Sequence, residues 1–88
     1  MTQLTRFRAS VRIMPRRGIL DPQGTAVAHA LHALGFTDVG DVRIGKNIVL
    51  DLSAPSASGA DDAVRNMCEQ LLANPVTEEF EIAGIEPL

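Results

Sequence analysis

A chain of 88 residues has room for one small domain, which buries only about 60% of the surface its unfolded form exposes and leaves little for a deep internal active site. Hydrophobic residues at 45% and charged residues at 22% describe an ordinary globular protein, while three phenylalanines without Trp or Tyr make the core aliphatic and argue against a base-stacking surface. The formal net charge of −3 argues in the same direction, because phosphate binding draws on clustered positive charge.

Cys68 is the only cysteine, so no intrachain disulfide is possible and a reducing cytoplasm is the simpler assumption. The N-terminal run MTQLTRFRAS has no apolar stretch fit for a signal peptide. Nowhere does an apolar run approach the ~20 residues that span a bilayer. The expectation is a single domain over residues 1–88, cytoplasmic, with no membrane or nucleic-acid partner.

Residues 7–13 alternate, with Phe7, Ala9, Val11 and Ile13 on one side and Arg6, Arg8, Ser10 and Arg12 on the other. That is the period of a half-buried strand. Met14 and Pro15 end it, and Arg16, Arg17 and Gly18 form a basic turn. The stretch GILDPQG, residues 18–24, then starts a helix. Asp21 can accept N–H groups of the first turn, and Pro22 suits the first helical position. Val27, Ala30, Leu31 and Leu34 make one apolar stripe, and Gly35 is the C-terminal stop.

Residues 41–52, DVRIGKNIVLDL, read as a hairpin. Val42 and Ile44 alternate before Gly45-Lys46, and Ile48, Leu50 and Leu52 alternate after it. Residues 54–59, APSASG, form a linker. Ser58 and Asp61 resemble a capping box for a second helix, whose stripe is Ala60, Val64, Met67, Cys68 and Leu71. Asn74-Pro75 ends it, and EEFEIAGIE gives a last strand through Phe80 and Ile82. The order is β-α-β-β-α-β: an α+β, ferredoxin-like arrangement with two helices on one face of an antiparallel sheet.

In that topology the first and last strands are neighbours. The arginine stripe (Arg6, Arg8 and Arg12, with Arg43 on another strand) then has Glu79 and Glu81 on one flank and Asp51 on the other. Cross-strand pairing is the favoured reading over an anion site. The helix-free face also invites self-association.

His29 and His32, three apart, have metal-ligand spacing but no further ligands. Cys68 falls on a core stripe rather than in the electropositive setting a nucleophile needs. Residues 40–47 match G-x4-G-K, but Asn47 replaces the required Ser or Thr, and strands occupy the place of the helix. No Ser/His/Asp set or paired-carboxylate site is visible.

Three segments in order, GILDPQGTAVAHALHALGF, DVRIGK and CEQLLANPVTEEFEI, resemble the PurS family, the small subunit of bacterial and archaeal phosphoribosylformylglycinamidine synthase. The resemblance covers about residues 11–82. It departs at Arg16-Arg17-Gly18, where Lys-Pro-Gly or similar is expected, at MTQLTR, a variable extension, and at SAPSASG, which is poor in charge.

The resemblance implies a non-catalytic subunit that forms dimers and holds a glutaminase subunit and a large synthetase subunit together. It helps ammonia pass between them as formylglycinamide ribonucleotide becomes formylglycinamidine ribonucleotide. No cofactor is expected in this chain, and ATP and Mg belong to the large partner. Candidate partner contacts are Gly18, Leu20, Gln23, Arg43 and Lys46, with Asp21 and Pro22 as the helix cap. The alternatives are a small-molecule-sensing regulatory module of the same strand order and an acylphosphatase-like enzyme, for which Arg16-Arg17-Gly18 is a poor anion loop.

Overall fold

The computed structural model describes residues 3–88; Met1 and Thr2, the start of the expected extension, lie outside the described residues. Strand β1 (Thr5–Pro15) begins inside that extension and is the centre of the sheet. Its alternation is carried through: Phe7, Ala9, Val11 and Ile13 are buried, and the intervening arginines face outward. Helix α1 (Pro22–Ala33) follows, then β2 (Lys46–Ala54), α2 (Ala57–Met67) and β3 (Glu78–Pro87).

Both β2 and β3 run antiparallel to β1, in the order β2-β1-β3. The register of β3 slips opposite Ser10 and Val11, which leaves Ala83 without a partner. Such a bulge shifts the inward phase by one residue. Phe80 and Ile82 before it and Ile85 after it therefore all pack against the same core.

Ser56 starts α2, its Oγ accepting the Gly59 N–H at 3.0 Å. The cap lies two residues before the expected Ser58, which is already helical. Ala60, Val64 and Cys68 recur every four residues and are fully buried on the sheet. After Met67 the helix widens into a π turn (Cys68–Leu72), closed by the Ala73 N–H on the Cys68 carbonyl. The wider turn breaks the 3.6-residue phase. Leu71, expected in the stripe, points to solvent at 82% exposure, and Leu72 and Ala73 turn inward instead.

Two features of the expected arrangement are corrected. Residues 41–45 form no strand, so the 41–52 hairpin exists only as its second arm and the sheet has three strands. Only α2 lies on the sheet; α1 has left it. The α+β, ferredoxin-like class stands, with the order β-α-β-α-β. The molecule is a thin plate of 60 × 26 × 14 Å. Its Cα radius of gyration is 17.1 Å, against about 12 Å for a compact chain of this length.

Candidate functional site: a projecting arm and its root

The arm consists of α1 and the segment that returns beside it, residues 35–45. Asp21 opens it. Its Oδ1 accepts the Gly24 N–H at 3.0 Å, and Pro22 occupies the first turn, where no N–H is needed. The helix ends at Leu34, with Gly35 at φ 101° reversing the chain. The return is tied back along the helix. His32 Nε2 donates to the Val39 carbonyl at 2.6 Å, and Asp21 Oδ2 accepts the Ile44 N–H at 2.8 Å.

Between these ties Gly24 lies directly against the Val42 carbonyl, where a Cβ has no room. Gly24 and Ala28 are the buried residues of α1, with Leu31 half-buried. Helix and return therefore cover one another over this narrow face. The apolar stripe expected to reach the sheet does not: Leu34 is 74% exposed, and Val27 and Phe36 are also exposed.

At the root, the Arg43 guanidinium donates to the Pro15 carbonyl, and Gly45 lies against the carbonyl of Ile13 and the sulfur of Met14. Arg43 is thus absent from the outward arginine stripe. The backbone of residues 42–44, which a fourth strand would have used for pairing, is engaged here by Asp21 and Gly24. The two Asp21 bonds, from Gly24 first and Ile44 second, hold its carboxyl below the usual range.

The expected partner contacts fall around this root. Gly18, Leu20 and Gln23 are exposed on its first segment, Leu20 at 83%. Arg43 and Lys46 flank Ile44 and Gly45 on the second; Arg43 is half-buried, and Lys46 is exposed with Nζ 4.0 Å from Glu78. Sequence reasoning missed Gly24 and Gly45 as packing residues. The signal was there in the D-x-x-G spacing, in which a glycine interrupts a helix just begun.

Among the described residues, the arginines of the outer sheet face stand opposite carboxylates. Arg8 is bonded to Asp51 at 2.9 Å, with Arg6 also within 4.0 Å of that carboxylate. Arg12 faces Glu81 at 3.6 Å, and Arg16 faces Glu79 at 4.0 Å. The Arg8 hydrogen bond holds the Asp51 carboxyl below its usual value. These exposed pairs are screened by salt and serve mainly to hold register.

Beside the π turn a cavity of about 280 Å³ is lined by Arg16, Cys68, Ala73, Pro75 and Phe80 together with three glutamates. The Cys68 thiol there is fully buried, and burial pushes it up, away from the thiolate. Among the described residues no three His, Cys, Asp or Glu side chains gather as metal ligands, and no helix is long and apolar enough to cross a membrane. What the geometry offers is surface. The exposed stripe of α1 is one part. Exposed Met67, Leu71 and Val76 around the end of α2 are the other.

Residues 8–86 match the family model described as PurS, phosphoribosylformylglycinamidine (FGAM) synthase. The phosphoribosylformylglycinamidine synthase subunit PurS of Synechocystis sp. is 44% identical over 82 residues, spanning 91% of this chain and 82% of its own. That of Bacillus subtilis is 43% identical over 74 residues, 84% of this chain and 87% of its own. Among solved structures, Thermus thermophilus PurS superposes with a TM-score of 0.84 at 37% identity, covering 94% of this chain and 98% of that one. A chain in the structure of PurLQS from Thermotoga maritima superposes at 0.80 with 31% identity, covering 94% and 98%.

Proposed function

The chain belongs to the PurS family of phosphoribosylformylglycinamidine synthase subunits, and we propose that within that purine-biosynthetic enzyme it couples a glutaminase to a synthetase without catalysing either reaction. The synthetase partner holds ATP and Mg and activates the amide of formylglycinamide ribonucleotide. The glutaminase partner releases ammonia from glutamine. This chain keeps the two docked so that ammonia passes between them.

The observation that carries the reading is the imbalance between surface and chemistry. Apolar side chains stand exposed along α1 and across the plate, while the cysteine is buried and the outward arginines are paired with carboxylates. A chain with this surface is built to be covered by other chains.

Self-association is part of the same proposal. The apolar stripe of α1 is left exposed and only α2 packs on the sheet, so two copies can cover each other's apolar surface. In this reading Leu20, Gln23 and Lys46 remain at the rim for the other subunits, and Arg43 supports the root from within. The test is to mix the purified chain with the synthetase and glutaminase of the same organism, with glutamine and ATP-Mg present, and follow the mass. A single complex containing all three is expected, and Leu20→Asp should weaken it without changing the chain's own oligomeric state. Failure of the three to associate removes the proposal.

A further inference from the structure

Two features at the end of α2 are at odds. Leu71, a large apolar side chain, is 82% exposed. The same turn borders a cavity of about 280 Å³ whose lining includes Cys68, Ala73 and Phe80. A leucine left in water loses burial, and an apolar recess beside a small side chain loses contacts. Both follow from the π turn.

A π turn holds one residue more than an α turn, and this one closes with the Ala73 N–H on the Cys68 carbonyl at 3.1 Å. When the same stretch closes as α-helix, the Ala73 N–H passes to the Glu69 carbonyl. Each inward position after Cys68 is then taken by the residue one place earlier in sequence. Leu71 moves to the place of half-buried Leu72, and Leu72 moves to the place of Ala73. Ala73 is 6% exposed and lines the cavity, so the second move brings a leucine to where a methyl group stands. One change of register buries the exposed leucine and narrows the cavity. The sequence permits it because both moving residues are leucines. The connection permits it too, because Ala73 is released and lengthens the link to β3.

The fastening of that link opposes the change. Arg16, which directly follows β1, donates from its backbone N–H to the Thr77 carbonyl at 2.8 Å and from Nε to the Pro75 carbonyl at 3.1 Å. The Asn74 N–H donates to Glu78 Oε1 at 2.8 Å, and Asn74 Oδ1 accepts the Val76 N–H at 3.1 Å. These bonds hold residues 74–78 where the helix needs its extra residue to meet them. The register at the end of α2 is thus set by a residue outside it.

We propose that the π turn is a two-register switch with Arg16 as its catch. The open register is that of this structure, with Leu71 outside and the cavity present. The closed register is continuous α-helix, with Leu71 inside and Leu72 in the cavity. Contacts that cover Leu71 hold the switch open, and their loss favours closure, because a partner shifts such an equilibrium by its difference in affinity for the two states.

The test is methyl NMR of the whole chain with 13C-labelled leucines, at a concentration where its mass is constant. Relaxation dispersion reads exchange on the μs–ms scale of helix register shifts. Leu71 and Leu72 should exchange together, with one rate and one population. Arg16→Ala should raise the ratio of closed to open register about tenfold, seen as joint movement of the two leucines' methyl shifts. Leu71→Gln should abolish the exchange at Leu72, because closure would bury an amide. Deletion of exposed Gln70 should abolish it as well, because the extra residue is then gone. If Arg16→Ala does not fold, Arg16→Lys, which keeps the charge and lacks the Nε–H, reads the same ratio. Absence of exchange in both wild type and the Arg16 variant overturns the inference. So does exchange at Leu72 that persists unchanged in Leu71→Gln or in the Gln70 deletion.

Discussion

Gly24 lies against the carbonyl of Val42 so closely that no side chain fits between them. The contact explains why a residue with poor helix propensity stands in the first turn of α1. In an ordinary helix, Gly→Ala gains roughly 0.5–1 kcal/mol. At this position the sign reverses, because the new methyl must push the return segment away from the helix.

Gly24→Ala should therefore destabilise the chain, by roughly 1–3 kcal/mol as in other overpacked sites, in urea unfolding. Gly40→Ala is the control. Its Cβ would meet open space, and its effect should stay within about 0.5 kcal/mol. Equal effects at the two positions would show that the Gly24 contact has no energetic weight.

Stability should fall in acid from a specific pair of groups. Asp21 is held low chiefly by the Gly24 and then the Ile44 N–H, and Asp51 chiefly by the Arg8 hydrogen bond. Both carboxyls have folded values below the ordinary Asp value of about 3.9. Between the folded and unfolded values the unfolded chain binds more protons, so stability rises with pH there. The contribution is fully present above the ordinary value and is lost as pH falls through the lowered ones. Urea midpoints should be flat down to about pH 5 and then drop, and Asp21→Asn should make the drop shallower. A midpoint unchanged from pH 6 to pH 3 would contradict the assignment.

Leu34 and Val64 should separate folding from association. Val64 is fully buried on the sheet-facing side of α2, and Val64→Ala should cost about 2 kcal/mol of folding stability through lost burial and the cavity left behind. Leu34 is 74% exposed on the arm. Leu34→Glu should leave the secondary structure intact and shift the mass toward a single chain in sedimentation. Retention of the wild-type mass would mean that this stripe is not the associating surface.

The difference between those two residues shows where the sequence was legible. Alternation in β1 and β2 and the Asp-Pro start of α1 read directly onto the structure, because they depend on neighbours a few residues away. The stripe Val27–Leu31–Leu34 was equally clear as a helix face, but its destination was not. Periodicity says that a face is apolar and does not say which chain covers it. Val42 and Ile44 read as a strand for a similar reason. Their alternation is real, yet Asp21, far back in the sequence, engages the backbone that pairing would need. The π turn at Cys68 carries no local signature here, so Leu71 and Leu72 exchanged places. The arginine row was legible because it needed only the neighbour relation of the strands. The packing roles of Gly24 and Gly45 emerged once the return segment lay beside the helix.

In the proposed function, this chain couples glutamine hydrolysis to a synthesis performed elsewhere. Ammonia supplied from solution reaches the synthetase by diffusion and bypasses the coupling. The direct measurement is the rate of formylglycinamidine ribonucleotide formation by the reconstituted synthetase and glutaminase, with and without this chain, at saturating ATP and substrate. One series uses glutamine and the other a high ammonium concentration. Omitting the chain should abolish the glutamine-dependent rate and leave most of the ammonia-dependent rate. Equal loss in both series would contradict the account, because the chain would then be shaping the synthetase site itself.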